Sequence, residues 1–240
     1  MAGMENVLIA VIIFVAMLVQ TTAGFGMGLV SMPLMLRVFD PVSAAALVSL
    51  VGITSEIYMI FRYRHTLQLR VVLRLIVASL FGIPFGVHSL GALDSRIILT
   101  GLGIIMIAYS LYGLLNFTPP VINSDRWGYA FGFVAGLLSG AYNTSGPPLV
   151  IYGTARRWSP AEFKVNLQMI FLSNSVMVIA ARGLAGHYTL NVLHAYLFAL
   201  PALVVAAWIG LRLDQRIDPV RFRTIVLVLL LMLGVRMLLP

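Results

Sequence analysis

The chain has 240 residues, 60% hydrophobic and only 10% charged, with a mean hydropathy of +0.99. Soluble domains carry about 25% charged residues, so this composition excludes a soluble enzyme and points to an all-α integral membrane protein. The formal net charge of +8 reads as a topology signal rather than nucleic-acid affinity, and the lack of cysteine excludes disulfides, thiol catalysis and thiolate metal sites.

Val7 to Val19 has the length of a signal-peptide core. Met1 to Asn6, however, carry Glu5 and no Lys or Arg, and no small-residue cleavage pattern follows, so the stretch is expected to belong to the mature protein. A first apolar segment runs from about Glu5 to Phe39, interrupted at Gln20-Thr-Thr-Ala-Gly-Phe-Gly-Met-Gly28 and again at Pro33. Asp40-Pro41, a cap followed by an N1 proline, opens a helix to about Phe61. Arg62, Arg64, Arg70 and Arg74 flank the next connection. A third helix runs from about Val71 to Leu93, bent at Pro84, and Asp94-Ser95 caps a fourth that reaches about Leu115. Asn116 to Arg126 is a polar, proline-containing linker.

The same punctuation then returns in the same order. Trp127 to Gly153 is interrupted at Gly140 to Pro148, Ser159-Pro160 opens a helix, Pro201 bends the next, and Asp218-Pro219 opens the last. This order predicts an internal duplication, 1–116 and 127–240, within a single polytopic membrane domain that has no soluble appendage. The offset between the halves places Gly24-Phe-Gly-Met-Gly28 opposite Asn143-Thr-Ser-Gly-Pro147.

Charge placement discriminates between topologies. If all eight segments cross the bilayer, Lys and Arg divide almost evenly between the two sides. If the interrupted segments are hairpins that enter and leave on one side, twelve of the 16 basic residues share a face. They are Arg62, Arg64, Arg70, Arg74, Arg126, Arg156, Arg157, Lys164, Arg212, Arg216, Arg221 and Arg223. Arg37, Arg96, Arg182 and Arg236 then remain opposite. The positive-inside rule selects the hairpin arrangement, and Trp127, Trp158 and Trp208 fall at the basic face, as interface anchors do. Length agrees, because an unbroken Trp127–Gly153 helix would reach roughly 40 Å at about 1.5 Å per residue, too long for a core of about 30 Å. The charges require only the second hairpin. The first rests on the repeat, with a crossing helix as its alternative. With both hairpins, each half has three crossings, and the halves become inverted repeats, each a re-entrant helical hairpin plus three transmembrane helices.

Ser139-Gly-Ala-Tyr-Asn-Thr-Ser-Gly-Pro-Pro-Leu149 is the chemically distinctive stretch. Irregular backbone at membrane depth survives only when packed in protein or lining a cavity. Ser145-Gly146-Pro147-Pro148 reads as a helix start, with Ser145 as the capping hydroxyl. A helix starting there aims bare N–H groups and a positive dipole end inward, which favours an anion.

The sequence also resembles the TauE/SafE family of sulfite and sulfonate exporters over essentially its whole length. The resemblance rests on Ala23-Gly-Phe-Gly-Met-Gly28 with downstream Pro33, on Leu137-Leu-Ser-Gly140 leading to Ser145-Gly-Pro147, and on the basic ends of the paired helices. In the family a glycine cluster usually precedes that proline; Asn143, Thr144 and Ser145 replace most of it here. The resemblance implies a small sulfur-containing oxyanion such as sulfite, thiosulfate or an organosulfonate. The hairpin argument alone implies an anion or polar solute.

Asn143, Thr144 and Ser145 are candidate hydrogen-bond donors to the anion, beside the N–H of Gly146 and ahead of Pro147. The competing reading is that they satisfy the hairpin's own turn or pack helix against helix. Thr21, Thr22, Gly24, Gly26 and Gly28 form the expected partner tip, with Gln20 a weaker member, and close helix packing is the competing role for the glycines. Glu56, the one carboxylate well inside an expected crossing, is a proton-coupling candidate, unless it reaches the interface. Asn174, at the corresponding place in the second half, is expected to face the cavity with Ser173. Gln168 and Asn166 share that helix, one on the pathway and the other as interhelical glue. Arg182, His187 and His194 are expected near the outer end as solvated loop residues, with attraction or release of an anion as their alternative role, and His88 sits near an outer helix end. No Arg or Lys is expected at mid-membrane. The four histidines lack metal-ligand spacing, and no cofactor or nucleotide motif is present. The expectation is a multi-pass, non-enzymatic secondary transporter of the cytoplasmic (inner or plasma) membrane, exporting a small anion by alternating access, with proton or ion coupling. An anion channel and a carrier of carboxylate-type anions are the alternatives. An intramembrane enzyme lacks a Ser/His or paired-Asp constellation, and a non-transporting membrane partner would show no flux.

Overall fold

In the computed structural model, residues 2–63, 69–213 and 218–239 are described. Arg64 and Arg216, and the side chains of Arg62, Arg70 and Lys164, lie outside the described residues. Among the described residues the chain is helical throughout: α1 (Ala2–Ala23), α2 (Met27–Met35), α3 (Pro41–Tyr63), α4 (Leu69–Ala92), α5 (Ser95–Leu114), α6 (Trp127–Tyr142), α7 (Gly146–Ala155), α8 (Pro160–Leu184), α9 (Leu190–Leu213) and α10 (Pro219–Leu238). The starts follow the local chemistry of the sequence. The Asp40 carboxylate accepts from the N–H of Val42 and of Ser43 at 3.0 and 3.1 Å, and Asp94 accepts from that of Arg96 at 2.7 Å. Ser159 and Glu162 close a reciprocal capping box ahead of Pro160. Pro84 and Pro201 lie inside α4 and α9.

Six helices, α1, α3, α4, α5, α8 and α9, are long and apolar enough to cross a membrane, so the protein is multi-pass. This set differs from the six crossings expected from the sequence. α1, at 22 residues, has the length of a full crossing, whereas α2, past the break, has nine. α10 has 20 residues but carries Arg221, Arg223 and Arg236.

The chain reverses between α6 and α7. Ile122, ahead of α6, donates its N–H to the carbonyl of Ala155, the last residue of α7, at 3.1 Å. Arg156 donates to the carbonyls of Ile122 and Asn123 at 3.1 and 3.0 Å, and Asp125 bridges Arg156 to Arg74 at the start of α4. Phe131 and Tyr152 stack across the arms with centroids 5.4 Å apart. Both ends of this hairpin therefore sit on one face, together with a basic residue from α4. At the first break, the Met27 N–H donates to the Gln20 side chain at 3.0 Å, and Val19 packs directly on Gly26. Past α2, Arg37 lines a cleft with Arg96 and Arg236, three of the four residues assigned to the less basic face.

Tertiary packing pairs helices that are distant in sequence. α6 lies along α4, α1 along α9, α5 along α10, and α3 along α8. The α4–α6 seam is built on small residues. A Cβ on Gly132, Gly136 or Gly140 would overlap the backbone at Leu75, Ser79 or Ile83, and one on Gly82 or Gly86 would overlap α6 in return. Lipid supplies no hydrophobic drive between helices, so such close backbone approach is what holds them. Gly103 and Gly234 play the same part between α5 and α10, and Gly210 of α9 receives the Thr21 side chain of α1.

Candidate functional site

The two breaks meet. Gly28, in the first turn of α2, lies so close to the Asn143 carbonyl that a Cβ there would overlap it, and Gly146 of α7 faces Phe25 and Leu29. Gly24 and Gly26 hold the first break at φ 79° and 117°, and Asn143 turns the second at φ 52° as the C-cap of α6. These left-handed conformations suit glycine and asparagine and exclude a β-branched side chain. Beside the junction is a cavity of about 40 Å³. A water needs roughly 10–15 Å³ on this measure, so about three waters or one small oxyanion fill it.

Its walls come from both breaks, with Gln20, Gly26 and Gly28 on one side and Asn143, Thr144, Ser145 and Gly146 on the other. α3 contributes Ser49, Gly52 and Glu56, α6 contributes Ser139, and α8 contributes Phe171 and Ser175. Glu56 is the sole ionisable side chain among these lining residues.

The donors are distributed differently from the sequence expectation. The Asn143 amide donates to the Ala45 carbonyl at 2.7 Å, tying the tip to α3. The Thr144 hydroxyl donates to the Tyr142 carbonyl at 2.9 Å, within the turn itself. The Thr144 hydroxyl is thus spent on the hairpin's turn, and one of the two Asn143 amide N–H groups is spent on packing against α3, the competing roles weighed for them. Ser145 occupies the N-cap position of α7 but makes no capping bond, contrary to expectation, so its hydroxyl is available to the cavity. Among the described residues, the N–H groups of Ser145 and Gly146 donate to no protein acceptor. Pro147 and Pro148 have no N–H to offer and face a separate apolar groove with Tyr109 and Trp127.

At the partner tip, Gly26 and Gly28 line the cavity, whereas Thr21 and Thr22 do not. The Thr21 hydroxyl donates to the Met17 carbonyl at 2.9 Å and the side chain packs on Gly210, while Thr22 donates to Leu18 at 2.6 Å. A helical threonine satisfies itself on the preceding turn, which removes both from the site. Gly24 offers its carbonyl to the Gln168 amide at 2.8 Å, so Gln168 positions the first tip rather than lining the path. Asn174 is buried at 1% exposure but does not line the cavity, and the Ser173 hydroxyl is bonded to Met169 at 2.9 Å. The adjacent Ser175 faces the cavity instead, with its hydroxyl on the Glu56 carboxyl. Glu56 is 8% exposed and turns into the cavity, not to the interface. His194 is exposed, as expected of a loop-side residue, but Arg182 is completely buried.

Ser49, Gly52 and Ser175 were not singled out by sequence reasoning, whereas Ser139 opens the distinctive stretch. Ser175 follows Phe171 by four residues, which places both on one helix face; that spacing was the available signal. For Ser49, isolated in an apolar helix, nothing in the sequence tells a cavity-facing serine from one packed between helices.

The site can hold a small anion between two helix starts by amide and hydroxyl donors, with an ionisable carboxyl opposite. Comparison with known proteins agrees with this chemistry. The family model for "Sulfite exporter TauE/SafE" matches residues 8–237. A Cupriavidus necator protein named "Probable sulfite/organosulfonate exporter TauE" is 27% identical over 228 residues, covering 92% of this chain and 89% of the relative. No solved structure matches the chain. With a multi-pass helical fold, two broken helices meeting at a polar cavity and a family match across nearly its whole length, the chain belongs to the TauE/SafE sulfite exporter family.

Proposed function

We propose that the protein is a secondary carrier that exports a small sulfur-containing oxyanion, sulfite or an organosulfonate, across the cytoplasmic membrane. The substrate sits between Gly26–Gly28 and Ser145–Gly146. The carrying observation is the junction of two helix starts at one cavity, where the Ser145 hydroxyl and the N–H groups of Ser145 and Gly146 have no protein acceptor. The positive ends of α2 and α7 favour negative charge there without a fixed cation. Such a site binds loosely enough to release its load.

Two halves, 1–116 and 127–240, related by inverted topology, supply the alternating access. The exchange of partners supports this reading: α6 with α4 is matched by α1 with α9, and α5 pairs with its counterpart α10. The family and its named relative support the sulfur oxyanion as substrate class, and no catalytic role is assigned to any residue.

Glu56 couples flux to protons. A carboxylate and an oxyanion in one cavity of about 40 Å³ repel each other, so the anion is accepted when Glu56 is protonated and expelled when the proton leaves. In proteoliposomes of the purified protein, labelled sulfite flux is expected to saturate and to support counterflow. Ohmic, non-saturating current would instead identify a channel, and selective transport of carboxylates would reassign the substrate.

A further inference from the structure

We propose that Arg182 forms a second binding site for the same class of small oxyanion, one step further along the outward route. The proposal rests on the carrier reading above, but its residues lie outside the central cavity. Arg182 is in the last turn of α8 and is 0% exposed. One terminal nitrogen donates to the Gly140 carbonyl at 2.6 Å, while Nε and Nη1 have no protein partner. Among the described residues no carboxylate lies within salt-bridge distance of it. Nε and Nη1 together carry three N–H donors. A guanidinium buried with most of its donors unused is expensive, and an anion is the partner that relieves the cost.

Arg182 lies between two spaces and lines neither. Ser175 lines the central cavity, and Arg182 follows it by seven residues, about 10.5 Å along α8 on nearly the same face. Gly140, which holds the guanidinium, follows Ser139 of the cavity wall. On the other side, Ala181, Ala185 and His187 line a cleft with Val87 and His88 near the α8–α9 connection. Tyr188, within electrostatic reach of Arg182, is hydrogen bonded at 2.9 Å to Ser49 of the cavity wall. The guanidinium therefore stands in the partition between cavity and cleft. An anion leaving the weak dipole site meets a full positive charge there, then the cleft.

The test counts anions. Equilibrium dialysis of the wild-type protein with radiolabelled sulfite is expected to give two sites per chain. Arg182→Gln should weaken one of them by about tenfold or more, the scale of a lost charged hydrogen bond, and Arg182→Lys should retain it. Ser145→Ala should weaken the other. Because Arg182→Gln can disturb the α6–α8 contact, selenium anomalous scattering from selenite bound to wild-type crystals provides a variant-free readout. Peaks beside both Arg182 and Ser145 support the proposal. A peak at Ser145 alone overturns it and leaves the carrier site standing. A peak at Arg182 alone supports it and overturns the central-cavity reading, and no peak at either position overturns both.

Discussion

At the residue scale, the site depends on which polar groups are already spent. Asn143 and Thr144 donate to the protein itself, while Ser145 is uncommitted. Ser145→Ala is therefore expected to leave insertion and thermal stability unchanged while lowering sulfite affinity about tenfold, since hydrogen bonds to charged groups contribute about 1.5–3 kcal/mol. Asn143→Ala should behave differently, with loss of stability accompanying loss of flux, because it unties the tip from Ala45. Glu56→Gln should retain flux but flatten its dependence on pH. An unchanged profile in that variant removes the coupling role. The tip residues themselves were legible from sequence, because consecutive polar and small residues inside an apolar segment have few explanations. The state of their donors was not, since the partners of Asn143 and Gln168, Ala45 and Gly24, are distant in sequence. Arg182 shows the same limit: closeness to a segment end suggested solvent, and only the packing of α6 against α8 buries it.

At the element scale, the breaks and helix starts could be read from Asp, Ser, Pro and Gly because capping is local chemistry. The α4–α6 seam is also written in the sequence, as Gly128, Gly132, Gly136 and Gly140 at four-residue spacing, but nothing local says which helix fills the groove. Gly136→Ala would drive a methyl group into the Ser79 backbone. It is expected to cost about 1–3 kcal/mol, seen as a lower midpoint of thermal unfolding in detergent. The base of the second hairpin is held through Asp125. Hydrogen bonding from Arg74, with the nearby Arg74 and Arg156 charges, keeps the Asp125 carboxyl below its ordinary value of 3.8 against a smaller opposing effect of burial. A depressed carboxylate contributes fully above the ordinary value and loses that contribution as pH falls through the depressed one. Asp125→Asn should therefore narrow the gap in unfolding temperature between neutral and strongly acidic buffer. The change will be small for so exposed a group.

At the scale of the whole molecule, the arithmetic of arginines anticipated that Trp127 and Ala155 end on one face. The contacts of Asp125 with Arg74 and Arg156 place them there. The course of the first interrupted segment was beyond that arithmetic, because either outcome leaves every later loop unchanged. Since the chain has no cysteine, single-cysteine variants can be labelled without background. Arg126→Cys and Arg157→Cys are expected to react with an impermeant thiol reagent from the same side of the membrane, and reaction from opposite sides would abolish the second hairpin.

The most direct measurement is labelled sulfite efflux from proteoliposomes containing either the wild-type protein or Ser145→Ala at equal insertion. Saturable flux in the first and about tenfold weaker apparent affinity in the second is the expected result. Identical kinetics in the two would contradict an anion held at the meeting point of α2 and α7.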